Sequence, residues 1–125
     1  PLPAGAAGKR ILVVDGSSLL RDMLERQLGS EGFSVHTLAS GAAALDWLAA
    51  HAADLVLLDW ALPGVNGGEL ARHIHAAPHH AQLPVVLMMT EFAREPAAQA
   101  SGQAGIAAVL VKPVSPAQLL DAVLV

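Results

Sequence analysis

Short apolar runs recur along the 125-residue chain, separated by longer stretches in which apolar residues return every three or four positions. Lys9 to Val14 (KRILVV), Leu55 to Leu58, the run VVLMM behind Pro84, and Ile106 to Val111 are too short for helices and rich in Val, Leu and Ile. Each is expected to be a buried strand, with Leu55 to Leu58 apolar on both faces, as central parallel strands are. Phe33, Val35 and Thr37 alternate with other residues, as a half-buried strand does. Between the runs lie helix signals. Ser17 or Ser18 can cap a helix whose Leu20, Met23, Leu24 and Leu28 form one stripe, ended by Gly29 and Gly32. Ser40 opens a second helix, with Ala44, Leu45 and Leu48 on one face, finishing near His51. Asn66 can cap a third through Glu69, Leu70, His73 and Ile74. Glu95 to Gln103 reads as a weakly amphipathic fourth, and Ser115 with Pro116 starts the last in cap-then-proline order.

Strand and helix thus alternate five times. That pattern calls for an α/β fold, a five-stranded parallel sheet with helices on both faces, because right-handed crossovers put them there. Sheets of this kind bind ligands beyond the carboxyl ends of their strands. The residues to inspect are therefore Asp15, Asp59, Thr90 and Lys112, which follow the first, third, fourth and fifth strands. Two carboxylates, a hydroxyl and an ammonium at one edge suit a divalent cation beside a phosphoryl group. A carboxylate can also attack phosphorus itself, and Asp59, on the central strand, is the better nucleophile candidate. Taken singly, each residue has a plainer explanation, such as a turn acid or a solvated lysine; the constellation is what argues for chemistry.

These residues resemble the response-regulator receiver domains of bacterial two-component signalling, from about Lys9 to Val125. The match rests on ILVVD at the first strand, DLVLLDWALPGVNG at the third, Thr90 closing the fourth and Lys112-Pro113 closing the fifth. The resemblance implies a flavodoxin-like, doubly wound (βα)5 fold with strand order 2-1-3-4-5. It implies that Asp59 accepts a phosphoryl group from the phosphohistidine of a histidine kinase or phosphotransfer domain. Mg²⁺ would be held by Asp15, Asp59 and the backbone carbonyl of Ala61. Thr90 would hydrogen-bond the phosphoryl group, Lys112 would pair with its charge, and the bond before Pro113 would be cis. Such a domain is a self-phosphorylating acceptor and not an enzyme acting on other substrates.

Three positions depart from the family pattern. Gly16 stands where a second acid normally binds the metal directly, so Mg²⁺ affinity is expected to fall. Glu91 replaces a small residue after the threonine, and Val109 replaces the aromatic switch three residues before the lysine. Three readings follow: a working phosphoacceptor with unusual metal affinity, a degenerate receiver acting by protein contact without phosphorylation, or a small α/β enzyme or ligand-binding module. Against the third stand the lack of a Walker-type loop, of G-x-G-x-x-G after a strand, and of a nucleophile elbow.

Composition narrows the setting. The formal charge is −4 and there is no cysteine, so no basic footprint for nucleic acid is expected, disulfides are excluded, and a reducing cytoplasm fits. No uncharged apolar run approaches the length of a membrane span. Pro1 to Gly8 reads as a linker or expression remnant before a domain spanning residues 9–125. Both ends look cut from something longer, which points to an output or kinase domain elsewhere, as in a hybrid sensor kinase; a homodimer stays open. The histidines of RHIHAAPHHAQ read as a polar loop, Met88 and Met89 as core, and Trp47 as a packing anchor.

Overall fold

The computed structural model describes residues 8–93, 95 and 106–124. Five strands, β1 (Arg10–Val14), β2 (Ser34–Leu38), β3 (Leu55–Asp59), β4 (Val85–Met89) and β5 (Ile106–Val111), pair in parallel in the order β2-β1-β3-β4-β5. This is the expected order. The described helices are α1 (Ser18–Ser30), α2 (Gly41–Ala50), α3 (Gly67–Ala76) and α4 (Pro116–Val123). The helix expected over Glu95 to Gln103 falls, beyond Glu95, outside the described residues.

The two-residue period of a strand divides the apolar side chains between two cores. Ile11, Val13, Leu55, Leu57, Val86 and Met88 join Leu24, Leu28, Leu119 and Val123 under α1 and α4. Leu12, Val14, Val56, Leu58, Val85 and Leu87 join Ala44, Leu48, Leu70 and Ile74 under α2 and α3. β3 is continuously apolar because both its faces are covered. The helices start where capping chemistry places them: Ser17, Ser40 and Asn66 accept from the backbone N–H of Leu20, Ala43 and Glu69. Ser115 and Gln118 form a reciprocal capping box at α4. Ser115→Ala is expected to lower stability by about 1 kcal/mol, read as a lower urea midpoint at unchanged slope.

The structure differs from the sequence reading at three points. Met23 lies outside the buried stripe of α1: it is 46% exposed, whereas Leu24 and Leu28 are buried, because a true 3.6-residue turn carries position 23 off the inward line. α1 also continues through Gly29 to Ser30, and only Gly32, at φ +104°, turns the chain. After β3, a two-stranded hairpin pairs Ala61–Leu62 with Val65–Asn66 around Pro63-Gly64, with Gly64 at φ +80°. Pro followed by a positive-φ Gly matches the sequence preference of a type II turn.

Candidate functional site

Three strands deliver charged side chains to one edge of the sheet. Counting by twos along the α1/α4 face, Val13 leads to Asp15, Leu57 to Asp59 and Leu110 to Lys112. Thr90 continues Val86 and Met88 by the same count, and it is exposed. Asp15 and Asp59 are 1% and 7% exposed, and they are the buried charged residues of the described chain. Carboxylates are rarely buried without a partner. Here the partner is shared: Lys112 Nζ lies 2.9 Å from Asp15 Oδ2 and 3.2 Å from Asp59 Oδ1.

Backbone contacts set these side chains in place. Asp15 N–H donates to Leu38 O, its Oδ1 accepts from Ser17 N–H at 2.8 Å, and Arg21 Nη1 donates to its carbonyl at 2.7 Å. Asp59 Oδ1 also accepts, weakly, from Ala61 N–H at 3.4 Å. Lys112 N–H donates to Met89 O at 2.6 Å, which ties the end of β5 to the end of β4, and the Lys112–Pro113 bond is cis. Burial by itself pushes the Lys112 pKa down; the hydrogen bond and charge of Asp15, then of Asp59, outweigh it and hold the group above its ordinary value. Lys112 is therefore a fixed cation at neutral pH.

Gly67 fits the edge for a steric reason. A β-carbon there would stand 2.8 Å from Leu87 Cδ2 and 2.9 Å from the Asp59 carbonyl oxygen. Its N–H donates to Trp60 O, so the start of α3 is pressed against the Asp59–Trp60 backbone. Gly67→Ala is expected to cost about 1–3 kcal/mol through overpacking. Gly29→Ala, where nothing lies within 4 Å, should instead stabilise by roughly 0.5–1 kcal/mol. Urea unfolding of the two variants side by side checks both signs.

The model of the response regulator receiver domain matches residues 11–124. The chain belongs to that family. It is 34% identical over 113 residues to the chemotaxis protein CheY-3 of Vibrio cholerae, covering 90% of this chain and 86% of that protein. It is 35% identical over 114 residues to the cyclic di-GMP phosphodiesterase response regulator RpfG of Xanthomonas campestris, but spans only 30% of that protein. It spans 48% of the phosphate regulon transcriptional regulatory protein PhoB of Rhizobium meliloti. The crystal structure of the chemotaxis response regulator CheY4 of Vibrio cholerae superposes with a TM-score of 0.85 at 28% identity, covering 92% of this chain and 95% of that one.

The receiver domain's three departures have definite places. Gly16 is exposed just beyond Asp15, with nothing within 4 Å of a β-carbon built on it. Glu91 is exposed in the first turn of a short 3-10 helix, Glu91–Ala93, directly after Thr90. Val109 pairs with Leu87 and packs against the α2/α3 core, on the face away from Asp59. Receiver domains generally bind Mg²⁺, and the two buried carboxylates, Asp15 and Asp59, are oxygen donors of the kind that ion takes. In charge they are short by the acid that Gly16 does not provide. Among the described residues no group of three or more His, Cys, Asp or Glu side chains could hold a metal.

Sequence reasoning missed Arg21, whose spacing six residues beyond Asp15 carries no motif of its own. It took the histidines for a plain polar loop. Residues Pro78–His80 form a 3-10 turn, and the His75 and His80 rings lie 2.8 Å from Leu83 O and Leu48 O. These rings pin the connection to β4. Trp47 stacks between His36 and His51, and Met88 and Met89 are buried. No described helix is long and apolar enough to cross a membrane.

Proposed function

We propose that this receiver domain accepts a phosphoryl group on Asp59 from a phosphohistidine on a histidine kinase or phosphotransfer domain. The observation that carries the reading is the asymmetry of the Asp59 carboxylate. Oδ1 is held by Lys112 and Ala61 N–H, whereas no hydrogen bond among the described residues engages Oδ2. That oxygen is the nucleophile: its bond to phosphorus forms as the phosphorus–nitrogen bond breaks, and the donor imidazole keeps the electron pair. Lys112 offsets the added charge, and the Thr90 hydroxyl donates to a phosphoryl oxygen. Asp15, Asp59 and the Ala61 carbonyl are the residues that would hold Mg²⁺, which supplies further charge neutralisation when bound.

Phosphorylation then draws Thr90 and Lys112 toward Asp59 and biases the loops after β4 and β5, the face through which the signal leaves. Val109 cannot supply an aromatic rotamer to that switch, so the response is carried by the loops themselves. The setting is cytoplasmic, with an output or kinase domain joined to this one. A second reading, a receiver acting by contact without phosphorylation, is favoured by Gly16 and by the Glu91 carboxylate beside Thr90. Incubation with a small acyl phosphate and Mg²⁺, followed by intact mass measurement, separates the two. One added phosphoryl group supports the first, and an unmodified mass with every donor and divalent ion supports the second.

A further inference from the structure

Asn66 is the sole asparagine of the chain, and a glycine follows it. Asparagine before glycine is open to deamidation because no β-carbon shields the next backbone nitrogen. That nitrogen bonds to the side-chain carbonyl carbon, the bond to Nδ2 breaks, and the amide proton leaves with it as ammonia. Water then opens the five-membered imide at either carbonyl, giving aspartate or isoaspartate. In the folded domain both partners of the attack are engaged. Gly67 N–H donates to Trp60 O at 2.8 Å. Asn66 Oδ1 accepts from Glu69 N–H at 2.9 Å, and Nδ2 donates to Glu69 Oε1 at 3.5 Å. Gly67 is buried, and a β-carbon on it would stand 2.9 Å from the Asp59 carbonyl oxygen. Asn66 also pairs with Ala61 across the hairpin.

We propose that Asn66 is a deamidation site latched by the fold, and that its isoaspartyl product disables the acid edge. The consequence rests on Asp59 as the phosphoacceptor. Reaction requires the start of α3 to lift from Trp60 and the cap to open, so its rate follows local opening. The aspartyl product is mild, since aspartate caps a helix as well as asparagine does. Isoaspartate instead adds one methylene to the main chain between the hairpin and α3. It does so where Gly67 is pressed against Asp59 and Trp60, so the Gly67–Trp60 hydrogen bond and the Ala61–Asn66 pairing cannot both survive. Both contacts position backbone beside Asp59. Hydrolysis does not restore the amide, which makes the change a one-way ageing of the acceptor.

The test ages the whole chain at neutral pH, folded and in urea, with Asn66→Ser as an unreactive control that keeps a cap. Intact mass follows the gain from amide to acid. Electron-transfer fragmentation separates isoaspartate at position 66 from isoaspartate at Asp15, which also precedes a glycine. Deamidation is expected at Asn66, at least about tenfold more slowly folded than in urea, because only the locally opened chain reacts. Equal rates in the two conditions, or a gain undiminished in Asn66→Ser, would overturn the proposal. The isoaspartyl form, isolated by ion exchange, is expected to take a phosphoryl group from an acyl phosphate at least about tenfold more slowly than fresh protein, as misplaced groups do. Uptake equal to that of fresh protein refutes the consequence. Asn66→Asp should match fresh protein; a loss as large as that of the isoaspartyl form would assign the effect to charge and overturn the backbone account. If fresh protein takes no phosphoryl group, the acceptor reading fails by itself and the urea midpoint decides: a lower midpoint in the isoaspartyl form supports the latch, and an unchanged one refutes it.

Discussion

Asp59→Asn is expected to abolish phosphoryl incorporation while the domain stays folded. The amide is nearly the same size as the carboxylate, and its oxygen can still accept from Lys112 Nζ, so the 3.2 Å contact has a successor. Its oxygen carries no charge to attack phosphorus, and an acyl phosphate cannot form on an amide. Stability should hold, because the change removes one of two carboxylates crowded around a single ammonium. Asp15→Asn makes the informative contrast: it leaves the nucleophile in place and should slow incorporation without ending it. Intact mass spectrometry after exposure to a small acyl phosphate reads both. An adduct of unchanged size on Asp59→Asn would place the acceptor elsewhere.

The second large effect is expected at Lys112. Lys112→Ala should slow phosphoryl transfer to Asp59 by roughly 10²–10³-fold, the usual loss when one preorganised charge facing a developing anion is removed. The same change leaves Asp15 and Asp59, 1% and 7% exposed, facing each other with no cation between them. Breaking a buried pair from one side is costly because the remaining charge stays uncompensated. With the lysine side chain 22% exposed, solvent takes up part of that cost. A lower urea midpoint is therefore expected, with partial recovery on adding Mg²⁺. Recovery should be larger than in the parent, since the ion then fills the place the ammonium held. A variant as stable and as reactive as the parent would contradict the role given to this residue.

Much of this was legible in the amino-acid sequence because burial on two faces leaves a plain mark. Leu55 to Leu58 could be read as a central strand only because both sides of it are covered, and Asp59 stood out for breaking that run at its carboxyl end. Ser40, Asn66 and Ser115 gave their helix starts through side-chain chemistry that acts within three residues. What escaped depends on contacts distant along the chain or on local geometry too short to have a period. The bridge from Lys112 to Asp15 joins residues 97 positions apart, and nothing in either segment states that one ammonium will serve two acids. The Ala61–Leu62 and Val65–Asn66 hairpin is two residues on each side, below any alternation that could be counted. Met23 was misplaced because three-and-four spacing admits it to the stripe, while the packing of α1 on β1 and β2 selects Leu20, Leu24 and Leu28 instead.

The acid edge also explains why the fold and the site are separable. The sheet order and the two cores depend on apolar residues, so the exposed Gly16 and Glu91 can vary with little cost to folding, whereas Val109 packs against the α2/α3 core. The effect of Gly16 and Glu91 is expected on ion affinity and access instead.

The most direct measurement is the location of the phosphoryl group. The domain is treated with a phosphohistidine donor, digested under conditions that preserve acyl phosphates, and its peptides are sequenced by tandem mass spectrometry. The modification is expected on Asp59, and not on Asp54 in the same stretch. A phosphoryl group on Asp15, on a histidine between positions 73 and 80, or on no residue at all would contradict the account.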